Sequence, residues 1–158
     1  MYALGAWVDG KEEWVGISSD FGGAEWTLVG CGDFKGSGKE SVLMSYNGGQ
    51  LFYAVGIDGS APRSLGSSDW RGWALRAIGD FAGDGKDDVV LFHELTGSMV
   101  LCADGNLDSY VSIGQLAADD WFVVGAGDYN GDQKDDLLVR QYSTGMLGYS
   151  SSPACRSE

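Results

Sequence analysis

Short apolar runs alternate with turn residues along nearly the whole chain. Val42–Met44 and Val89–Phe92 are two such runs, and turns follow them at Asn47–Gly49 and Thr96–Gly97. Apolar runs of this length, bounded by Gly, Asn and Asp, are typical of β-strands joined by tight turns. The pattern predicts an all-β chain built from antiparallel strands.

The same order of strands and turns occurs three times. Trp26, Trp73 and Trp121 each begin a strand-like segment, and they follow one another at intervals of 47 and 48 residues. An Asp comes seven positions after each Trp, and the sixteen residues from each Trp align without gaps. Each repeat predicts four antiparallel strands, so we expect a tandem-repeat architecture.

The repeats also predict the organisation of the domain. We expect one repeat domain over residues 1–149 and a polar tail over residues 150–158. The domain divides into complete units over residues 26–72 and 73–120, and a split unit made of residues 1–25 plus 121–149. Pairing of the first strands with the last would remove exposed sheet edges.

An Asp-rich turn follows the first strand of each repeat, and its spacing suggests calcium. Calcium takes six to eight oxygen ligands, and a tight loop presents them at alternate positions. If the first Asp is position 1, the third loop offers oxygens at positions 1, 3, 5, 7 and 9. The predicted ligands are the side chains of Asp128, Asn130, Asp132 and Asp136 and the carbonyl of Lys134.

The other two loops are less complete, so graded occupancy is expected. The second loop retains Asp80, Asp84, the Lys86 carbonyl and Asp88, but Ala82 stands at position 3. The first loop retains Asp33 and Ser37, while the Lys35 ammonium could replace the ion. The third loop is predicted to bind calcium most strongly, the second more weakly and the first not at all. The alternative is that these turns form hairpins without metal.

Position 6 of the third loop is unusual. Gln133 stands there, whereas the other two loops have Gly38 and Gly85. If the turn needs a positive φ at this position, Gln carries a small strain that Gly would avoid.

The run from Gly127 to Leu137 resembles the calcium loop of FG-GAP/VCBS repeats, the units of integrin-type β-propellers. The resemblance extends over residues 2–149 and recurs three times at blade-sized spacing. It implies a β-propeller of four-stranded antiparallel blades, about three per chain. It also implies Ca²⁺ that stiffens the hairpin between the first two strands of a blade.

Three blades are too few for a closed propeller, which typically has four to eight. Two arrangements follow: a segment of a longer propeller, or a homodimer that closes a six-bladed ring. The alternative fold is a β-trefoil, which also uses three repeats of four strands.

Charge and hydropathy limit the partners. The formal net charge of −13 argues against nucleic acid and anionic membranes, both of which attract basic surfaces. No apolar run approaches the ~18 residues of a membrane span, so membrane insertion is not expected. The N-terminus lacks the features of a signal peptide. We expect a segment of a longer secreted chain, located outside the cell or at its surface, and the three cysteines do not decide the redox compartment.

No catalytic arrangement is evident, and the chain is not expected to be an enzyme. His93 is the single histidine and has no paired nucleophile in the sequence, so a packing role is expected. The best candidate for a ligand contact is Trp70 with Arg71, because exposed aromatics stack on sugars or anchor protein partners.

The predicted function is a calcium-stabilised binding or adhesion module for protein or carbohydrate. The alternatives are a structural, self-assembling repeat protein and an accessory domain of a secreted hydrolase.

Overall fold

The computed structural model describes the backbone of residues 4–8, 11–15, 21, 23–56 and 62–150, and the side chains of residues 21, 23–56 and 62–150. Within these ranges the chain is all-β, with no α-helix and one 3-10 turn at Ala103–Gly105. The strands are β1 Leu4–Val8, β2 Lys11–Val15, β3 Trp26–Gly32, β4 Ser41–Tyr46, β5 Leu51–Gly56, β6 Arg63–Ser64, β7 Trp73–Gly79, β8 Asp88–His93, β9 Ser98–Cys102, β10 Tyr110–Gln115, β11 Trp121–Gly127, β12 Asp136–Gln141 and β13 Leu147–Ser150.

The strands form antiparallel sheets of sequential strands. Sheet I has the order β3-β4-β5-β6, sheet II the order β7-β8-β9-β10 and sheet III the order β11-β12-β13. The hairpin of β1 and β2 is a separate two-stranded sheet. The prediction of an all-β, antiparallel chain is confirmed. Sheet III has three strands in the described residues, and no pairing between the first and last strands of the chain is observed there.

Each of the three larger sheets has a register shift at the same place in its first strand pair. The shift lies between Leu28 and Gly30 in sheet I and between Leu75 and Ala77 in sheet II. In sheet III it lies between Val123 and Gly125. A β-bulge of this kind increases the local twist, which turns the first strand as it approaches the Asp-rich loop.

Sheet II lies between sheets I and III. Val89 and Leu91 belong to a buried cluster shared with sheet I, which includes Phe52. Val90 and Phe92 belong to a second cluster, shared with sheet III. Both faces of β8 are therefore buried, which explains why its sequence is a continuous apolar run.

The three sheets form a row rather than a closed ring. Each of the two hydrophobic clusters joins neighbouring sheets, and no cluster of the described residues joins sheet I to sheet III. The bulged strands also follow this order, because β7 contacts both β3 and β11. The row places the three Asp-rich loops side by side.

Candidate metal loops and adjoining cleft

The three Asp-rich loops connect the first and second strands of the three sheets. We call residues 33–41 loop I, residues 80–88 loop II and residues 128–136 loop III. Each loop begins where a bulged strand ends and finishes at the first residue of the next strand. Since the sheets are stacked, neighbouring loops touch.

The Asp at position 1 closes its own loop. In loop III the Asp128 carboxylate accepts backbone N–H groups from Gly131 at 2.7 Å, Asp132 at 3.1 Å and Gln133 at 2.9 Å. These bonds, with Gln133 the largest contributor, hold the pKa of Asp128 below its usual range. Asp80 closes loop II with the same three bonds, from the residues at positions 4, 5 and 6.

The other predicted side-chain ligands of loop III also bond within the loop. Asn130 Oδ1 accepts the Asp132 N–H at 2.8 Å, and Asp132 Oδ1 accepts the Lys134 N–H at 3.0 Å. Asp136 is fully buried, and its Oδ2 accepts the Tyr129 N–H at 3.1 Å. A carboxylate or amide oxygen has two lone pairs, so accepting one N–H does not by itself prevent it from binding a cation.

Asp88 is the equivalent residue of loop II, and it is also fully buried. Its carboxylate accepts backbone N–H groups from Ala82 at 3.1 Å and Asp104 at 2.9 Å. Burial nevertheless raises its pKa to about 6, and the nearby charges of Asp84 and Asp104 add to that rise. A cation at loop II would reverse this effect, because it would favour the ionised carboxylate.

The donor chemistry of loop III fits calcium, since all of the predicted ligands are carboxylate, amide or carbonyl oxygens. The side chains do not form a ready-made cage, however. Among the residues that the structure describes, no group of three or more His, Cys, Asp or Glu side chains could hold a metal ion. Calcium binding stays a prediction.

Loop I lacks the same set of oxygens. Asp33 accepts the Ser37 hydroxyl at 3.3 Å and the backbone N–H groups of Lys35 and Gly38. Lys35 thus meets Asp33 through its backbone, and the Lys35 ammonium forms no ion pair with a described residue. The suggestion that this ammonium replaces the ion gains no support.

The prediction for position 6 is confirmed. Gln133 has a φ of 69°, in the left-handed region, as do its glycine counterparts Gly38 at 73° and Gly85 at 82°. A side chain at this φ is strained.

In loops II and III the residue at position 8 links its loop to the preceding one, a role that the sequence analysis missed. Asp87 Oδ2 accepts the Asp33 N–H at 2.7 Å, and the Asp87 N–H donates to the Asp33 carbonyl at 3.0 Å. Asp135 and Asp80 make the same two bonds, each 2.9 Å long. We call this reciprocal pair of hydrogen bonds the loop clasp.

A signal for the clasp was present in the sequence. An acidic residue stands at position 8 of every loop, as Glu40, Asp87 and Asp135, although that position is not a calcium ligand in the predicted scheme. A glycine stands just before each loop, at Gly32, Gly79 and Gly127. The structure explains the glycine, because a Cβ at Gly79 would collide with Asp135 Oδ2.

Trp70 is not an exposed ligand contact, and that part of the prediction is wrong. It is 5% exposed, and its ring packs edge-on against Trp73 and Tyr110. Arg71 is exposed and pairs with Asp69. The tryptophan is buried because its loop folds back between sheets I and II.

A polar cleft adjoins the first two loops. It has a volume of about 740 Å³ and lies between sheets I and II. Its polar lining includes Lys35, Arg63, Ser64, Ser67, Lys86, Asp104, Asn106 and Asp108. Lys86 Nζ bonds Asp104 at 2.7 Å, so the charges in the cleft are partly paired.

His93 packs against the Trp73 ring, with centroids 5.0 Å apart, and its Nδ1 accepts the Thr96 N–H at 3.2 Å. Both contacts are structural, as the sequence predicted for this residue.

No protein-family model matches the chain, and neither a curated protein nor a solved structure matches it. The likeness to FG-GAP/VCBS repeats therefore stays a resemblance carried by the residues quoted above. In the part of the chain that the structure describes, no helix is both long and apolar enough to cross a membrane.

Proposed function

We propose that this chain is a non-catalytic, calcium-stabilised module of β-propeller type that recognises protein or carbohydrate. The observation that carries the proposal is the row of three loops along one edge of the stacked sheets. Each loop is closed by its position-1 carboxylate. Neighbouring loops are joined by a clasp. Acidic residues gathered in this way repel one another, and a bound cation relieves that repulsion.

Loop III is the preferred calcium site in this proposal. Asp128, Asn130, Asp132 and Asp136 would supply side-chain oxygens, and Lys134 would supply its carbonyl. Loop II would bind more weakly through Asp80, Asp84, the Lys86 carbonyl and Asp88, because Ala82 offers no side-chain oxygen. The ion would neutralise charge and stiffen the hairpin, and no reaction is assigned to it.

The cleft between sheets I and II is the preferred ligand site. It combines cationic, anionic and hydroxyl groups, which suits the mixed hydrogen-bond donors and acceptors of a sugar or a polar peptide. It lies beside loops I and II, so its shape depends on the clasp between them. We place the module outside the cell or at its surface, where calcium is abundant enough to fill sites of modest affinity.

Isothermal titration calorimetry with calcium tests the metal part of the proposal. The wild-type chain is expected to release heat in two steps, and Asp132→Ala is expected to lose the tighter one. Asp119→Ala removes one negative charge outside the loops and is the matched control. Equal binding by all three proteins, or no heat from any of them, contradicts the proposed site.

Glycan arrays and pull-down screens test recognition. Arg63 lines the cleft, whereas Arg71 lies outside it, so the two arginines form a matched pair. Arg63→Ala is expected to lose at least about tenfold in affinity for the ligand found, while Arg71→Ala keeps it. The reverse result would place recognition at Arg71, as the sequence first suggested.

A further inference from the structure

One face of sheet III is covered by no described residue, and it is apolar apart from Arg140, which lies between Phe122 and Leu147. Val123 and Leu137 pack against sheet II, so their neighbours along the strands point to the opposite side. Five large side chains on that side are between 47% and 63% exposed: Phe122, Val124, Tyr129, Leu147 and Tyr149. We call these five residues the open face of sheet III. Several large apolar side chains exposed on one face are typical of an interaction site.

In the other sheets the same face is buried against the next sheet. Phe34, at position 2 of loop I, belongs to the cluster between sheets I and II. Phe81, at position 2 of loop II, belongs to the cluster between sheets II and III. Tyr129 is the corresponding residue of loop III, and it is 48% exposed.

The third strands of sheets II and III also place apolar side chains on this face. In sheet II, Met99 and Leu101 are buried in the cluster shared with sheet III. Leu147 and Tyr149 hold the same register positions in sheet III, opposite the corresponding residues of β12. The open face therefore repeats a surface that is used twice within the chain to pack the next sheet.

At the other end of the row, no described sheet packs against the outer face of β3 in sheet I. Leu75 and Ile78 of β7 pack against the cluster that joins sheets I and II. Their counterparts in β3 are Leu28, which is 50% exposed, and Cys31, which is also exposed. The first strand of sheet I thus presents the surface that would receive an open face, and no described residue packs against it in that way.

Loop I and loop III, at the two ends of the row, each carry one half of a clasp that has no partner among the described residues. Glu40 stands at position 8 of loop I and is exposed, whereas Asp87 and Asp135 bond the preceding loop. The Asp128 N–H corresponds to the donors of both clasps, and no described residue accepts it. The nearest described atoms to a Cβ at Gly127 belong to the ring of Tyr129, at 3.4 Å, whereas the nearest to one at Gly79 is the clasp carboxylate of Asp135.

We propose that two copies of this chain associate, with the open face of sheet III in one copy packed on β3 of the other. Glu40 of one copy accepts the Asp128 N–H of the other and forms a third clasp. Because the contact is made twice, two copies close a ring of six sheets, within the usual range for propellers. The inference rests on the stacking of sheets in the proposed fold and does not require calcium or a ligand.

The interface between sheets II and III predicts a specific disulfide across the new one. A Cβ built at Gly79 would lie 3.1 Å from the Cβ of Ala126 in the next sheet. Gly127 corresponds to Gly79, and Cys31 corresponds to Ala126. A Cβ at position 127 would also meet the Glu40 carboxylate of the second copy, as one at Gly79 meets Asp135, so the cysteine is combined with Glu40→Ala. It should then form a disulfide with Cys31 of the second copy after a shift of a few tenths of an ångström.

The experiment uses Gly127→Cys in a Glu40→Ala, Cys155→Ser background, under mild oxidation and followed by non-reducing electrophoresis. A covalent dimer is expected, and adding Cys31→Ser should abolish it. Leu95→Cys in the same background is the control, because Leu95 is 87% exposed and lies outside the open face. It should give at least about tenfold less dimer, since its thiol meets Cys31 only by chance.

Sedimentation velocity gives the second readout. The wild-type chain should sediment at twice the 16.8 kDa chain mass. Leu147→Glu should shift it to the monomer by placing a carboxylate in the apolar contact, whereas Leu95→Glu should not. Because Leu147 is 63% exposed in the single chain, this variant should still fold.

A wild-type monomer at 100 µM, or a dimer in which position 127 does not link to Cys31, overturns the proposal. Calcium binding is measured on the Leu147→Glu variant as well. Loss of the dimer and loss of the calcium site are then separate results, so either proposal can fail alone.

Discussion

Asp135 and Asp80 bond each other reciprocally across the boundary between sheets II and III. The Asp80 N–H donates to Asp135 Oδ2 at 2.9 Å, and the Asp135 N–H donates to the Asp80 carbonyl at 2.9 Å. The same relationship joins Asp87 to Asp33 one sheet earlier. The acidic residues at position 8 of loops II and III, which have no role in the predicted calcium sites, therefore join neighbouring sheets.

Removing the Asp135 side chain tests the clasp. Asp135→Ala should lower the free energy of unfolding by about 1–2 kcal/mol, because the partly buried Asp80 N–H loses its acceptor. Asp119→Ala makes the same charge change on an exposed residue and should have little effect. Urea unfolding of the two variants measures the difference, and equal stability of both would show that the clasp contributes nothing.

Gln133 offers a stabilising substitution. Its φ of 69° favours glycine, so Gln133→Gly should raise the free energy of unfolding by roughly 0.5–1 kcal/mol. The gain is partial, since glycine also adds freedom to the unfolded chain.

Gly85→Ala is the reciprocal control for that substitution. The space around a Cβ at Gly85 is open, so any loss of stability reports backbone strain alone. Thermal unfolding should move the two variants in opposite directions, and a destabilised Gln133→Gly would contradict the account.

The fold was largely predictable, and the reasons lie in particular residues. The recurrence of Trp26, Trp73 and Trp121 marks the first strand of each sheet, and all three begin a strand in the structure. The continuous apolar run of β8 is explained by burial of both its faces.

The sequence was less informative about contacts between sheets. Trp70 looked like a surface aromatic because it does not recur with the repeat and stands beside Arg71 in a loop, where Asp69 is also charged. In fact those two residues pair with each other in solvent while the indole turns inward. The clasp was missed for a related reason. The acidic residue at position 8 is visible in each loop, but the backbone group that it bonds lies 54 or 55 residues away on another sheet.

Cys102 should be inert to thiol reagents in the folded chain. It is fully buried, and burial together with the charge of Asp88 raises the pKa of its thiol to about 12. In a Cys31→Ser, Cys155→Ser variant, no thiol should react at pH 8 until guanidinium is added. Rapid labelling under native conditions would contradict the burial of β9.

Asp108 should make stability depend on pH in acid. Its carboxylate accepts the N–H of Ser67 at 2.8 Å and the Ser67 hydroxyl at 3.1 Å, and these bonds lower its pKa. Since the folded pKa lies below the unfolded value near 3.9, the contribution is present above that value and is lost as pH falls through the folded pKa.

The difference in urea midpoint between wild type and Asp108→Asn isolates this contribution. It should be constant from pH 7 to about pH 5 and shrink towards pH 2, where the wild-type carboxyl is neutral as well. A difference that does not change with pH would show that the Ser67 contact is not charge-dependent.

Thermal unfolding after chelation, with and without added millimolar calcium, tests the central claim most directly. At calcium a hundredfold above the dissociation constant, binding adds about 2.7 kcal/mol, which corresponds to a rise in Tm of roughly 5–10 °C for a chain of this size. The account predicts that rise for the wild-type chain and the loss of most of it in Asp132→Ala, which retains only the weaker loop II site. An unchanged Tm in the wild type, or the same rise in both proteins, would contradict it.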